Sequence, residues 1–480
     1  MSPLSVLLTV IVYFIVLFTV SYLAGRKADN AGFFTGGRRS AWYMVAFAMI
    51  GASISGVTYV SVPGMVAVSN FGYLQMVLGF MAGHLIIAFV LTPLFYRMNL
   101  VSIYGYLENR FGRMSYHTGA YFFFISKMLG AAVRLFLVCL TMQLLVCEPL
   151  GVPFAVNAVV TVALVWLYTF RGGVKSLIWT DSLKTLCLIV SVVLCIYYIA
   201  SDLQLSFGSM VSVIADSPLS RTFFFDDVNS KQFFFKQFLA GAFTTIAMTG
   251  LDQDMMQRNL SCRNSRDSQK NILTSIVLQF VVILLFLMLG VLLYTFADSR
   301  GVQVTKGDEL FPLIATGGYF PVVVGVLFIV GLISSAYSAA GSALTALTTS
   351  FTVDILGTRG RTEAEVVKLR QRVHVGMAVI MALVIIVINQ LNSTSVIDAV
   401  YILASYTYGP ILGMFAFGIF TKRAVRDKYI PWVAVCSPLL CFILQRNSEA
   451  WFGGYQFSYE LLIFNALFTF IGLCLLMKKK

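Results

Sequence analysis

GLISSAYSAAGSALTALTTSFTVDI, residues 331–355, is apolar and long enough to enter a bilayer, yet nine of its residues are Ser or Thr. Ser334, Ser338, Ser342, Thr345, Thr349 and Thr352 recur at steps of three and four, the spacing of one helical face. Ala336, Ala339, Ala340, Gly341 and Ala343 fill in beside them. Small and hydroxyl residues let membrane helices approach closely, so a helix–helix seam is one reading of this face. Oxygens that replace water around a hard cation are the other.

The rest of the chain identifies the solvent. Of 480 residues, 59% are hydrophobic and 11% charged, with a mean hydropathy of +0.85. Soluble domains carry about 25% charged residues, so this composition predicts an all-α integral membrane protein. The net charge of +13 does not point to nucleic acid, because membrane proteins gather Lys and Arg in cytoplasmic loops. The first apolar run, Leu4 to Leu23, lacks a basic start and a small-residue cleavage site, and reads as a retained helix. Eight Cys and three His are scattered without a CxxC or metal-spaced cluster, and no loop holds a nucleophile–base set. Neither an enzyme nor an organic cofactor is expected.

Runs of spanning length predict about thirteen transmembrane helices, with cores near 4–23, 42–68, 72–96, 117–146, 153–170, 178–200, 233–256, 271–297, 315–351, 373–391, 396–420, 429–445 and 460–477. Alternate connections hold most of the basic residues, Arg258 among them; only Arg221, Lys231, Lys236, Arg300, Lys306 and Arg446 fall on the opposite side. The positive-inside rule then places the N-terminus outside and the C-terminus in the cytoplasm of a plasma (inner) membrane. Lys127, Arg134 and Lys184 stand inside apolar runs.

Two helices carry interruptions. Gly51-Ala52-Ser53-Ile54-Ser55-Gly56 breaks the second near its middle, and Thr249-Gly250-Leu251-Asp252 breaks the seventh. Unwound backbone at membrane depth is tolerated where it lines a cavity, and secondary transporters use it to aim carbonyls at ions. Each break opens a set of five helices, the pattern of an inverted repeat.

Six segments in order then resemble the sodium:solute symporter family: FFTGGRRSAWYMVAFAMIGASISGVTYVSVPG (33–64), YLENRFG (106–112), RGGVKSLIWTD (171–181), DQDMMQRNLSCRN (252–264), SALTALTTSFTVDI (342–355) and YGPILGMFAFGIFTKRA (408–424). The resemblance implies a single transporter domain over 1–480: a leading helix (1–30), a first five-helix repeat (40–205), a second (230–424) and two trailing helices (425–480). It implies cotransport of one or two sodium ions with a small solute by alternating access. By that resemblance the main sodium site takes carbonyls of Gly51, Ile54 and Ser335 and the hydroxyl of Ser338. Ala339 stands where many members have a second Ser or Thr. Asp181 and Ser342 match a second cation site found in some members; a pair of Asp181 with Lys184, one turn on, is the alternative.

Arg134 suits the carboxylate of an anionic solute such as a sialic acid, a sugar acid or a small carboxylate; an internal pair with Asp252 or Asp254 is the alternative. Lys127, two turns earlier, is expected to snorkel to the cytoplasmic margin. Further solute contacts are expected at Ser55, Thr58, Tyr59, Thr249, Asp252 and Tyr406. A proton-coupled transporter of the same fold and a non-transporting solute sensor are the other readings. Oligomeric state is not legible.

Overall fold

The computed structural model describes residues 3–25, 40–54, 56–98, 100, 102–304, 306–357, 360–390 and 396–478. Each of the thirteen expected stretches is largely helical, although 317–321 interrupts the stretch 315–351, and no strand is present among the described residues. Seven helices there are long and apolar enough to cross a membrane, and two bent pairs bring that to nine. Shorter apolar helices at Leu7–Thr19, Phe154–Phe170 and Leu461–Leu475 fill further expected positions.

One expected turn is not seen. The stretches 153–170 and 178–200 lie on a single helical run, Phe154–Asp202, where the sequence suggested a turn at 171–178. No proline interrupts that run, and Gly172 and Gly173 each cost a helix only about 1 kcal/mol relative to Ala.

Both breaks are present. Trp42–Ser53 ends at Ile54, whose extended backbone (φ −84°, ψ 96°) turns the chain, and the next helical segment departs at 59°. Later in the chain, Phe234–Thr245 passes through a wide turn at Ile246–Gly250 and stops at Leu251. Asp252 then caps the short helix Gln253–Asn259, its carboxylate accepting from the amides of Asp254 (2.9 Å) and Met255 (3.1 Å). A side-chain cap of this kind satisfies amides that a helix start leaves open.

The hydroxyl helix, Val322–Ser350, runs through the centre, and nearly all of its side chains are buried. It packs on Phe154–Asp202, on Arg113–Met142 and on the broken helix. Gly51 lets the broken helix lie close against Phe154–Asp202: a Cβ there would lie 2.3 Å from Thr185 Oγ1 and 2.9 Å from the Asp181 carbonyl oxygen.

Candidate cation and solute sites

The hydroxyl face divides by depth. Towards its C-terminal end, Thr345, Thr348, Thr349 and Thr352 each donate to the carbonyl four residues back, and Thr348 also meets His374 Nδ1 at 2.9 Å. Those hydroxyls form a seam. The serines further up are aimed at other helices. Ser335 Oγ donates to the Ile54 carbonyl at 3.0 Å, across the break. Ser338 Oγ donates to Asp181, and Ser342 Oγ to Asp254. The threonine turns thus bond within their own helix, whereas Ser335, Ser338 and Ser342 reach across to other segments.

Around these serines lies a buried network of charge. Arg258 reaches Asp181 Oδ2 through Nη1 at 2.9 Å and donates to Ser342 Oγ through Nη2. Its Nε lies 3.6 Å from Asp254. Lys127 Nζ bridges Asp252 (3.0 and 3.1 Å) and Asp254 (3.1 Å), and Tyr408 Oη donates to Asp252 Oδ2 at 2.6 Å. Lys184 Nζ donates to the Ser335 carbonyl at 3.3 Å. Asp181, Asp252 and Asp254 thus face Lys127, Lys184 and Arg258, and their formal charges cancel. Burial of so many charges is tolerable because each aspartate is ion-paired and Lys184 is held by a main-chain carbonyl.

A central cavity of about 130 Å³ adjoins this network. Its walls include Ser53, Thr58, Phe80, Arg134, Thr249, Asp252, Ser338, Tyr401 and Tyr408. Arg134 adds a fourth positive charge beside the three carboxylates. No carboxylate pairs with it among the described residues, and its buried Nε has no hydrogen-bond partner.

Several expectations are corrected. Lys127 does not snorkel; it is 8% exposed and holds the two carboxylates that were the internal candidates for Arg134. Asp181 pairs with Arg258 and not with Lys184. Arg258, assigned to a cytoplasmic loop, is 3% exposed because its short helix folds back beside the hydroxyl helix. Tyr59 does not face the cavity. Its ring packs on Phe286, Phe311 and Phe328 at 5.2–5.9 Å, and its hydroxyl donates to Ser191 at 2.7 Å. Tyr406 turns away too, towards Gln445 and the trailing helices. Thr58, Arg134, Thr249 and Asp252 do line the cavity, while Ser55 lies outside the described residues. Gly51, Ile54, Ser335 and Ser338 converge where the broken helix meets the hydroxyl helix and Asp181. Sequence reading missed Tyr408, Tyr401 and the roles of Lys127 and Arg258; the pairing that intramembrane charges require was the available signal.

Two broken helices that flank one polar cavity inside an apolar bundle define a multi-pass membrane transporter of the secondary type. The profile of the sodium:solute symporter family matches residues 33–428. The sodium/sialic acid symporter NanT of Aliivibrio fischeri is 25% identical over 84% of this chain and 80% of its own length. The human sodium/iodide cotransporter is likewise 25% identical over 84% of this chain, which spans 63% of that longer protein. Among solved structures, the substrate-bound outward-open state of a Na+-coupled sialic acid symporter superposes with a TM-score of 0.82. That match covers 99% of both chains at 19% identity, a likeness of fold. The chain belongs to the sodium:solute symporter family, a family of transporters and not of enzymes.

Proposed function

We propose that this protein imports a small organic anion, coupled to sodium, by alternating access across a plasma membrane, with its N-terminus outside. The observation that carries the solute class is the surplus positive charge at the cavity: among the described residues Arg134 lines it without an acidic partner, and Lys127, Lys184, Arg258 and Arg134 outnumber Asp181, Asp252 and Asp254 by one. A planar guanidinium with free donors is matched by a carboxylate, which would bring the cavity to neutrality. A sialic acid, a sugar acid or a small carboxylate meets that requirement. The names of relatives, a sialic acid symporter and an iodide cotransporter, favour an anion as well.

In this reading Arg134 anchors the carboxylate, and Thr58, Thr249 and Tyr408 contact the remainder. Sodium in the main position gathers the carbonyls of Gly51, Ile54 and Ser335 and the hydroxyl of Ser338, and holds the broken helix against the hydroxyl helix. Asp181 and Ser342 accept a second cation only when Arg258 withdraws from between them. Sodium and solute then raise each other's affinity by one common factor.

The test is uptake of a panel of radiolabelled organic anions by proteoliposomes, with sodium and proton gradients imposed separately. Concentrative uptake of at least one carboxylate on a sodium gradient is expected. Accumulation driven by a pH gradient alone would remove the sodium assignment, and saturable binding without flux would favour a sensor.

A further inference from the structure

Lys184 is an intramembrane charge with no acidic partner of its own among the described residues. It is 2% exposed and lies one turn after Asp181, but the Asp181 carboxylate is taken by Arg258 and by the Ser338 hydroxyl. The ammonium instead donates to the main-chain carbonyl of Ser335 at 3.3 Å. That carbonyl is one of those assigned above to sodium, and the same residue's hydroxyl bonds the Ile54 carbonyl across the break. On its other side the lysine borders a mostly apolar groove walled by Leu8, Val12, Leu17, Val326 and Val330, with the hydroxyls of Thr9, Tyr13 and Ser334 and no carboxylate among its walls.

We propose that Lys184 is a tethered competitor for sodium: its ammonium occupies the main cation position and must leave the Ser335 carbonyl before a sodium ion can enter. The inference rests on reading Gly51, Ile54, Ser335 and Ser338 as that position. An ammonium and a sodium ion carry the same charge and seek the same oxygens, so the two exclude each other at one carbonyl. Two independent observations agree. With Lys184 counted, the four cations of this cluster, Lys127, Arg134, Lys184 and Arg258, already exceed its three aspartates, so a sodium ion added beside Lys184 would add to the excess. And Ala339 supplies no hydroxyl at this level of the helix, so fewer oxygens are available to an incoming ion. The wild-type protein should therefore bind sodium weakly, with Lys184 setting the affinity.

The experiment is equilibrium binding of ²²Na+ to the purified full-length protein in lipid nanodiscs, with no solute present. Removing one unit charge from contact distance should tighten sodium binding at least about tenfold in Lys184→Gln, which keeps a donor for the Ser335 carbonyl. Lys184→Met supplies a second uncharged side chain of similar length and should behave alike. Lys184→Arg keeps the charge and should stay as weak as wild type. Adding Ser338→Ala to Lys184→Gln should abolish the gain, which locates the ion. The inference is overturned by equal sodium affinity in wild type and both uncharged variants, by an equal gain in Lys184→Arg, or by a gain that survives Ser338→Ala. Because no solute is used, either failure is separate from failure of the organic-anion reading.

Discussion

Replacing Arg134 by Gln separates a solute anchor from a structural charge. No carboxylate pairs with the guanidinium among the described residues, and its Nε is without a partner, so the substitution orphans no internal group. Stability should stay within about 0.5 kcal/mol, as for changes that break no buried contact. A buried ion pair losing one member would instead cost about 3–5 kcal/mol. The solute bears the loss. Hydrogen bonds to charged groups contribute about 1.5–3 kcal/mol, which translates to a rise of roughly 10- to 150-fold in the KM for carboxylates. Arg134→Lys should fall between, since it keeps the charge and loses the planar fork. The assay is initial-rate uptake in proteoliposomes over a solute concentration series, with protein amount normalised and thermal unfolding followed in parallel. An unchanged KM for every accepted anion would show that Arg134 does not hold the solute. A fall in stability of the size expected for a broken ion pair would show an internal role.

Lys127→Met leaves Asp252 and Asp254 buried with one cation fewer, so a loss of about 3–5 kcal/mol in thermal or denaturant unfolding is expected, larger than for Arg134→Gln. Gly51→Ala forces a methyl to within 2.3 Å of Thr185 Oγ1 and 2.9 Å of a main-chain oxygen. It should cost about 1–3 kcal/mol, with partial recovery when Thr185→Ala is added, read in the same unfolding assay. Tyr59→Phe removes the hydrogen bond to Ser191 and keeps the ring packing, so about 0.5–1.5 kcal/mol of stability should be lost while the KM for solute stays put.

What the sequence made legible is what local chemistry sets. The breaks at Ile54 and Leu251 were readable because glycines and hydroxyls cluster there, and both segments do leave the helical path. The serine face of Val322–Ser350 was readable from its spacing, and Ser338 and Ser342 do turn towards other helices, while Ser334 bonds back to Gly331. Partner choice was not readable, because it joins distant elements: Lys127 and Asp252 are 125 positions apart, Arg258 and Asp181 are 77. Tyr406 and Tyr408 illustrate a finer limit. Two residues along a helix is a rotation of about 200°, so an error of that size in phase exchanges the cavity face for the opposite one. A 49° bend between Tyr401–Thr407 and Gly409–Phe420 adds to the uncertainty of phase at that point. Tyr59 failed for another reason: it follows the break, where substrate contacts are expected, but three phenylalanines from distant helices enclose its ring.

A structure of the full-length protein in lipid with a transported carboxylate bound would bear hardest on these conclusions. Oxygens of the carboxylate should lie within hydrogen-bond distance of the Arg134 guanidinium, in the cavity between the two helix breaks, with Lys127 still bridging Asp252 and Asp254. A solute seated away from Arg134, or an Arg134 turned to one of those carboxylates in its presence, would contradict them.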